Sequence, residues 1–242
     1  MAYYDQIAKQ WHTGTGYEGG AFKRFVLNEV LIGMIPDVLD RSILELGAGN
    51  GYFVRLVLRR FSGRHPSRIV ITDQSNRLLE IARRHLRVTD AEYQPLDVGD
   101  AFPFPDKSFD LIIASMLFNE IPRRIFKNAL KECNRVLSDR GLFLMAVTHP
   151  SFVNSLRKRG LLTHAQGEIF VMPGSGSLRL PVVIRSKEAY ERQLTESGFH
   201  FKGEEIFPTT EVLNAKSGLK NTGKVPLALV YQCEPELVSN PG

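Results

Sequence analysis

Short strand-like runs alternate with amphipathic segments through the middle of this chain. The strand-like runs cover residues 42–46, 68–72, 91–94, 109–114 and 141–147. In the segments between them, apolar side chains recur with a helical period. These amphipathic segments cover residues 52–61, 76–86 and 125–137. Strands that alternate with helices predict a parallel sheet that is covered by helices on both faces.

Before this alternation, the N-terminal part of the chain predicts two further helices. Residues 3–11 indicate a short aromatic helix, and a glycine-rich stretch follows at residues 14–20. Residues 22–35 repeat apolar side chains with a helical period until Pro36 ends the pattern.

The C-terminal part predicts one helix and two strands. Ser186 is the predicted N-cap of a helix through Glu196, and Gly198 is predicted to end it. Residues 199–207 and 226–233 indicate strands that lie too close in sequence for a helical crossover, so they should pair antiparallel. The complete pattern predicts one Rossmann-like, doubly wound α/β domain with a mostly parallel seven-stranded sheet and an antiparallel last strand.

Composition and charge indicate an ordinary globular protein. Hydrophobic residues make up 43% and charged residues 24% of the 242 residues. No apolar run approaches the roughly 20 residues of a membrane span, and the first residues lack the pattern of a signal peptide. Cys133 and Cys233 are far apart and are expected to be reduced thiols, and the histidines lack metal-binding spacing. We therefore expect a cytoplasmic protein without a metal.

The net charge of +5 could indicate a protein that binds nucleic acid. Most arginines are spread over the amphipathic helices, and the one dense basic cluster is Arg157-Lys158-Arg159. Solvated helix faces and one exposed loop explain this distribution better than an RNA-binding surface does.

A glycine motif stands where the first predicted strand turns into a helix. Residues 43–51 read ILELGAGNG, which contains the spacing GxGxG. Glycines allow a tight turn and a close approach of a ligand to the backbone, and the helix N-terminus offers free N–H groups to a carboxylate. Tyr52 occupies the position where the dinucleotide fingerprint requires a small residue, which argues against NAD or FAD. No P-loop sequence occurs.

Three acids follow the ends of successive predicted strands. Glu45 precedes the glycines, where it can bind a ligand's ammonium group or, alternatively, cap the next turn. Asp73 lies 22 residues after Gly51, a spacing that suits a carboxylate bound to ribose hydroxyls; the alternative is a helix N-cap. Asp97 is placed to accept a hydrogen bond from an adenine amine, with Val98 beside the ring.

The stretch after the third acid carries a family resemblance. Residues 102–122 read FPFPDKSFDLIIASMLFNEIP, which is similar to the LPFPDxSFDxVxxxxxLHHIP core of one branch of the class I S-adenosylmethionine (SAM)-dependent methyltransferases. Together with the glycine motif, Asp73 and the Gly141 strand, the resemblance spans about residues 1–150.

The resemblance implies SAM as cofactor, S-adenosylhomocysteine as product, and a role for each matching residue. The methionine part of SAM would lie along Glu45, Gly47, Ala48 and Gly49. Asp73 and Gln74 would hold the ribose, and Asp97 and Val98 would flank the adenine. Ser115 and Met116 would face the sulfonium. The N-terminal helix would form a lid, with Tyr4 and Trp11 near the cofactor; the alternative is that these two rings only pack the helix against the domain.

The sequence departs from the family after the fourth strand. The family's paired histidines are Asn119 and Glu120 here, so no role of those histidines carries over. His149 follows the fifth strand and is the predicted general base in the acceptor pocket; the alternative is a histidine bonded to backbone. Glu120 and Tyr4 are weaker candidates for the base.

The function expected from the resemblance is methyl transfer from SAM to a nitrogen or oxygen of a small molecule. Methylation of tRNA or another RNA, and SAM binding without transfer, remain alternatives. The predicted segments are a helical lid over 1–36, a SAM-binding core over 40–150, a substrate-capping insertion over 150–186, a closing helix and strands over 187–233, and a flexible tail over 234–242.

Overall fold

The fold consists of a central sheet, its helices and a second small sheet. The computed structural model describes residues 3–17, 19–20, 23–38, 40–86, 90–173, 178–210 and 225–236. Within these residues the strands are β1 (Ser42–Glu45), β2 (Arg68–Asp73), β3 (Ala91–Pro95), β4 (Phe109–Ser115), β5 (Leu137–Thr148), β6 (Thr163–Gln166), β7 (Ile169–Pro173), β8 (Arg179–Val183), β9 (Phe199–Ile206) and β10 (Ala228–Pro235). The helices are α1 (Tyr3–Thr15), α2 (Asn28–Met34), α3 (Tyr52–Arg60), α4 (Asn76–Leu86), α5 (Arg123–Val136), α6 (Pro150–Lys158) and α7 (Lys187–Glu196).

The central sheet has the topology that the sequence predicts. Its seven strands stand in the order β3-β2-β1-β4-β5-β10-β9. β1 to β5 pair in parallel, whereas β10 inserts antiparallel between β5 and β9. This arrangement confirms the Rossmann-like, doubly wound fold with an antiparallel last strand.

Both faces of the sheet are buried, which explains the continuous apolar strands. Leu44 of β1 packs in a cluster with Phe126 of α5, whereas its neighbour Ile43 packs in a second cluster with Phe53 of α3. Successive side chains of a strand point to opposite faces, so a strand between two helical layers needs apolar residues at every position.

Several boundaries differ from the sequence prediction. The first helix continues to Thr15, and the fifth strand begins at Leu137 rather than Gly141. A π-helical turn over Lys23–Leu27 leads into α2, where the pattern predicts one continuous helix. β10 reaches Pro235 and so includes the first two residues of the predicted tail. Phe22 and residues 237–242 lie outside the described part of the chain.

The segment 150–186 is more regular than its sequence pattern indicates. It contains α6 and a three-stranded antiparallel sheet in the order β6-β7-β8. α6 and this small sheet share an apolar cluster that includes Val153, Leu156, Met172 and Val182. The three strands are short, and β6 is exposed along its whole length, so the segment shows little hydrophobic periodicity. Residues 174–177 of this segment lie outside the part of the chain that the structure describes.

The closing unit agrees with the prediction. The Ser186 hydroxyl caps α7 by accepting the Ala189 N–H at 3.2 Å, and Gly198 follows the helix with a φ of +77°. Cys133 on α5 and Cys233 on β10 are buried free thiols. No helix in the described residues is long and apolar enough to cross a membrane.

A buried arginine ties the small sheet to the segment that follows β4. The Arg185 guanidinium donates to the carbonyl oxygens of Phe118 at 2.9 Å and Ile121 at 3.0 Å. It also lies over the rings of Phe126 and Tyr190, at 4.4 and 4.9 Å from their centroids. Because aromatic faces and carbonyl oxygens carry negative potential, they compensate a cation that has left water.

Replacing Arg185 should destabilise the fold. Arg185→Met strands two main-chain carbonyls, and we expect a loss of roughly 1–3 kcal/mol of unfolding free energy for each of them. Urea denaturation measures this loss, and Arg185→Lys should lie between the wild type and Met. The exposed Arg192 of α7 provides the control, since Arg192→Met should change stability by about 0.5 kcal/mol or less. Equal stability of the two methionine variants would show that the hydrogen bonds of Arg185 to the two carbonyls do not stabilise the fold.

Candidate active site

A cleft of about 670 Å³ opens at the carboxyl ends of β1, β2 and β4, beneath α1. In open α/β sheets, ligands bind at this edge, where the order of the strands reverses. Ten of the twelve residues that the sequence assigns to a cofactor line the cleft: Tyr4, Trp11, Gly47, Gly49, Asp73, Gln74, Asp97, Val98, Ser115 and Met116. The structure therefore brings together residues that are scattered over more than a hundred positions.

The glycine loop forms the floor of this cleft. Gly47 and Gly49 have φ angles of +61° and +59°, which residues with a side chain rarely adopt. A Cβ on Gly49 would also stand 3.1 Å from Nε1 of Trp11. The loop is held from behind, because the Ala48 N–H donates to the Thr72 carbonyl at 2.9 Å.

Asp73 connects the end of β2 to the glycine loop. Its Oδ2 accepts the Gly49 N–H and its Oδ1 accepts the Ser75 N–H, each at 2.8 Å. The N-cap of α4 is Ser75, whose hydroxyl accepts the Leu78 N–H at 3.2 Å, so Asp73 does not serve as that cap. Burial raises the pKa of Asp73, while the two N–H groups act in the opposite direction. Each oxygen keeps a further lone pair for another donor, and Asp73 lines the cleft.

Glu45 and Ala48 do not line the cleft. Ala48 packs beneath the loop against Val54, and Glu45 is 3% exposed. The Glu45 carboxylate bonds the Val54 N–H in the first turn of α3, as the capping alternative predicts. Its Oε2 is buried without a hydrogen-bond partner among the described residues. Burial raises the pKa of Glu45 to about 8, although nearby Lys23 opposes the shift.

The N-terminal helix covers the cleft. Asp5 accepts a bond of 2.6 Å from the Ser75 hydroxyl, and the Asn50 side chain donates to the Gly16 carbonyl at 2.9 Å. Tyr4 and Trp11 line the cleft from this helix, with their ring centroids 5.4 Å apart. Nε1 of Trp11 is buried without a partner in the described part of the chain. The two rings thus both pack the helix and face the cleft.

Apolar and polar residues after β3 and β4 complete the walls. Leu96 and Val98 are buried beside Asp97, whose Oδ1 accepts the Gly99 N–H at 2.9 Å. Met116 has a φ of +63°, an uncommon conformation for a residue other than glycine and one that often marks functional sites.

Two charged residues to which the sequence assigns no cofactor group, Lys23 and Glu120, also line the cleft. Lys23 has Nζ at 4.9 Å from the Tyr52 ring centroid and 5.5 Å from that of Trp11. Glu120 accepts a hydrogen bond of 2.5 Å from the Tyr4 hydroxyl. The sequence offers no signal for Lys23, because only the fold brings its helical turn over the loop. Glu120 was recognisable only as a departure from the family's histidines.

Burial governs the charge of these groups. It lowers the pKa of Lys23, which the carboxylates of Glu120, Glu45 and Asp73 counteract. It raises the pKa of Glu120 to about 8, against the effects of the Tyr4 hydroxyl and Lys23. Near neutral pH the cleft can therefore gain negative charge by losing protons when a cation enters.

His149 lies away from the residues that line the cleft. Its Nδ1 accepts the Ser151 N–H at 3.0 Å, which makes it the N-cap of α6, and its Nε2 is 3.8 Å from Oε1 of Glu205. Burial lowers its pKa. This geometry favours the structural alternative, and a role of His149 as base stays a prediction.

Known proteins are similar to this chain over its core. Residues 43–141 match the family model described as a methyltransferase domain. The chain is 29% identical over 147 residues to a malonyl-[acyl-carrier protein] O-methyltransferase of Halorhodospira halophila, covering 58% of this chain and 46% of that protein. A protein of the same name from Methylococcus capsulatus is 30% identical over 128 residues, 52% of this chain and 45% of the relative. The matched stretches span about half the length of these relatives.

A solved structure extends the likeness to nearly the whole chain. The SAM-dependent methyltransferase from Mesorhizobium loti has a TM-score of 0.67 and 22% identity, and the superposition covers 90% of this chain and 99% of that one. The likeness establishes the fold, and within it residues 43–141 are the part that matches the methyltransferase-domain model.

The raised pKa of Glu45 predicts a pH-dependent stability. The folded protein keeps the Glu45 proton to about pH 8, whereas the unfolded chain loses it near its ordinary pKa of 4.5. The folded state binds more protons between these values, so the unfolding free energy should fall as pH rises, by at most about 1.4 kcal/mol per pH unit. Glu45→Gln cannot ionise and should flatten this slope in urea titrations from pH 5 to 9.

Exposed Glu80 of α4 supplies the control, because Glu80→Gln should leave the slope close to that of the wild type. An unchanged slope in Glu45→Gln would show that Glu45 is ionised in the folded protein at neutral pH.

Proposed function

We propose that this protein transfers a methyl group from SAM to a nitrogen or oxygen of a small-molecule acceptor, by in-line displacement. The observation that carries the proposal is the order of residues along one cleft. The glycine loop, Asp73 and the pair Asp97–Val98 follow one another at the carboxyl ends of adjacent strands. This order corresponds to the amino acid, ribose and adenine of SAM.

Each part of the cleft suits the chemistry of the corresponding part of SAM. The N–H groups at the start of α3 favour a carboxylate, and Lys23 adds a positive charge nearby. The Asp73 carboxylate has free lone pairs for the two ribose hydroxyls. Asp97 can accept from the adenine amine while Leu96 and Val98 contact the ring. These assignments follow the family resemblance and the chemistry of the side chains.

Buried polar atoms without partners support the fit. Trp11 Nε1 and Glu45 Oε2 both border the loop, and neither has a hydrogen-bond partner in the described residues. Buried polar atoms are rarely left unsatisfied, so each of these two atoms is a position at which a ligand atom could supply the missing hydrogen bond. Once it has lost its proton, Glu45 would neutralise the ammonium group of SAM from beneath the loop. A side chain at Gly49 would fill the space that the ligand needs.

Bound SAM supplies an activated methyl group on a positively charged sulfur. The protein's contribution is alignment of the acceptor with that methyl and exclusion of water. α1 covers the cleft with Tyr4 and Trp11, and Asp5 anchors the helix through the Ser75 hydroxyl. Before the acceptor binds, the carboxylates around the cleft would stabilise the positive charge on the sulfur of SAM.

The acceptor would be bound between the lid and the insertion 150–186. The Tyr3 hydroxyl on α1 donates to the Arg179 carbonyl on β8 at 2.5 Å, and the Val183 N–H donates to the Asn119 carbonyl at 2.7 Å. These contacts place the small sheet beside the segment that carries Glu120. The insertion is thus positioned to determine which acceptor is taken. The relatives that are named malonyl-[acyl-carrier protein] O-methyltransferases make a thioester-borne acid one acceptor to test.

Incubation of metabolite extracts with enzyme and isotope-labelled SAM, followed by mass spectrometry, identifies the acceptor. Label recovered only in RNA, with binding that weakens steeply with salt, would favour the RNA alternative. SAM binding without transfer to any fraction would favour a binding protein.

Removing the Asp73 carboxylate should weaken cofactor binding. Asp73→Ala deprives two ribose hydroxyls and the Gly49 N–H of an acceptor, and we expect a loss of roughly 1–3 kcal/mol in the binding of both SAM and S-adenosylhomocysteine. Isothermal titration calorimetry measures both. The exposed Asp100 is the matched control, because Asp100→Ala should bind as the wild type does. Unchanged affinity in Asp73→Ala would contradict the assignment.

Cofactor binding should also change the fluorescence of the lid. Trp11 is the single tryptophan of the chain and borders the glycine loop, so its emission reports this position alone. We expect a saturable change of intensity or wavelength on addition of SAM, with a midpoint equal to the calorimetric dissociation constant. Asp73→Ala should shift that midpoint to higher concentration. A constant emission at saturating SAM would speak against Trp11 as part of the cofactor site.

A further inference from the structure

Glu120 occupies a place in the cleft that the cofactor assignments leave unused. It lines the cleft beyond Met116 and accepts the Tyr4 hydroxyl hydrogen bond. Its electrostatic neighbours are Tyr3 and Tyr4 of α1, Lys23 of the π-helical turn and Asp73 of β2. Glu120 is therefore a carboxyl group that lines the cleft and is held by Tyr4, and to which none of the cofactor assignments gives a role.

The proposed cofactor position places this carboxyl near the reacting methyl. In SAM the sulfur joins the ribose to the amino-acid chain, so it lies between the groups that Asp73 and the glycine loop bind. Glu120 lines the same cleft as Asp73 and the glycine loop, and it interacts electrostatically with Asp73 and Lys23. It follows Met116, which the resemblance assigns to the sulfonium side, by four residues, so its carboxyl shares that part of the cleft.

We propose that Glu120 receives the proton of the methyl acceptor, and that the acceptor is a neutral O–H or N–H group rather than a carboxylate. This proposal rests on the proposed function. In the step, the acceptor atom forms a bond to the methyl carbon while the carbon–sulfur bond breaks and its electron pair stays on sulfur. The acceptor proton moves to the Glu120 carboxylate, which later releases it to water.

The surroundings of Glu120 suit this role. The Tyr4 hydroxyl donates to the carboxylate and so orients one oxygen, which leaves the other free to accept from an incoming O–H or N–H group. Burial raises the pKa of Glu120 to about 8, and a positive charge beside it lowers the pKa again. A bound cofactor with a cationic sulfur would therefore help to convert Glu120 to its basic form.

The same charges select the acceptor. An acceptor carboxylate beside Glu120 would place two like charges together in a partly buried site, which is unfavourable. It also carries no proton that a base must remove. A hydroxyl or a neutral amine can instead donate a hydrogen bond to Glu120 before the transfer.

The first experiment measures binding and needs no acceptor. SAM carries a charge on sulfur that S-adenosylhomocysteine lacks, so SAM should release more protons on binding near pH 7.5. Calorimetry in buffers of different ionisation enthalpy counts these protons. Glu120→Gln should abolish the difference between the two ligands while both still bind, and the exposed Glu80→Gln control should retain it.

The second experiment follows turnover against pH with the acceptor found by the labelling experiment. Wild-type kcat/KM should rise with pH, because Glu120 must be deprotonated, and then level off. Glu120→Gln should lower kcat roughly 10²–10⁴-fold and lose this rising limb. Tyr4→Phe removes the hydrogen bond that lowers the pKa of Glu120, so its limb should move to higher pH. His149→Gln tests the alternative base, because His149 is the general base that the sequence predicts.

The outcomes separate this proposal from the proposed function. If wild-type protein binds neither SAM nor S-adenosylhomocysteine, the proposed function is wrong. If both bind but release equal numbers of protons, Glu120 does not border the sulfur and the inference is wrong. Loss of the pH limb in His149→Gln rather than in Glu120→Gln would also overturn it, as would a methyl ester as product. If Glu120→Gln fails to fold, the pH profile of Tyr4→Phe decides. A rise of kcat/KM at higher pH than in the wild type supports the inference, and an unchanged profile contradicts it.

Discussion

The hydrogen bond between the Asp73 carboxylate and the Gly49 N–H is the contact on which the site depends. It ties the carboxyl end of β2 to the loop after β1, and its second oxygen fixes the turn into α4 through Ser75. The loop in turn supports α1, because Trp11 packs on Gly49 and the Asn50 side chain donates to the Gly16 carbonyl just after the helix. One buried carboxylate thus sets the positions of the floor, one wall and the cover of the cleft.

Burial gives the same cleft its electrostatic character. Burial raises the pKa of Glu45 and of Glu120 to about 8, and nearby Lys23 only partly opposes these two shifts. A site of this kind can release protons, and so become more negative, when a cation binds. Burial also raises the pKa of the Cys133 thiol. This thiol, however, lies in the packed core among apolar side chains and is not one of the residues that line the cleft. A shifted pKa therefore acquires functional meaning only from where the group stands.

The insertion 150–186 and the central sheet are coupled through the segment that follows β4. Arg185 holds the carbonyls of Phe118 and Ile121, and β8 contributes the Val183 N–H to Asn119. Glu120 lies between these anchors, so the insertion 150–186 influences the site without contributing a described residue to the cleft wall. This linkage connects a segment outside the cleft wall to the short segment that carries Glu120.

The sequence by itself determined the alternating elements, the parallel sheet with its antiparallel closing strand, and most of the residues that line the cleft. These features are local, since strand periodicity, the glycines at positive φ and the acids at strand ends are each read within a few neighbours, and the order of the strands then aligns their carboxyl ends. Tertiary structure alone decided that Glu45 lies beneath the loop, that His149 caps α6, and that Lys23 and Glu120 meet over the cleft. Such placements depend on how distant segments pack, because a charged side chain carries the same letter whether it faces water, a backbone N–H or a ligand.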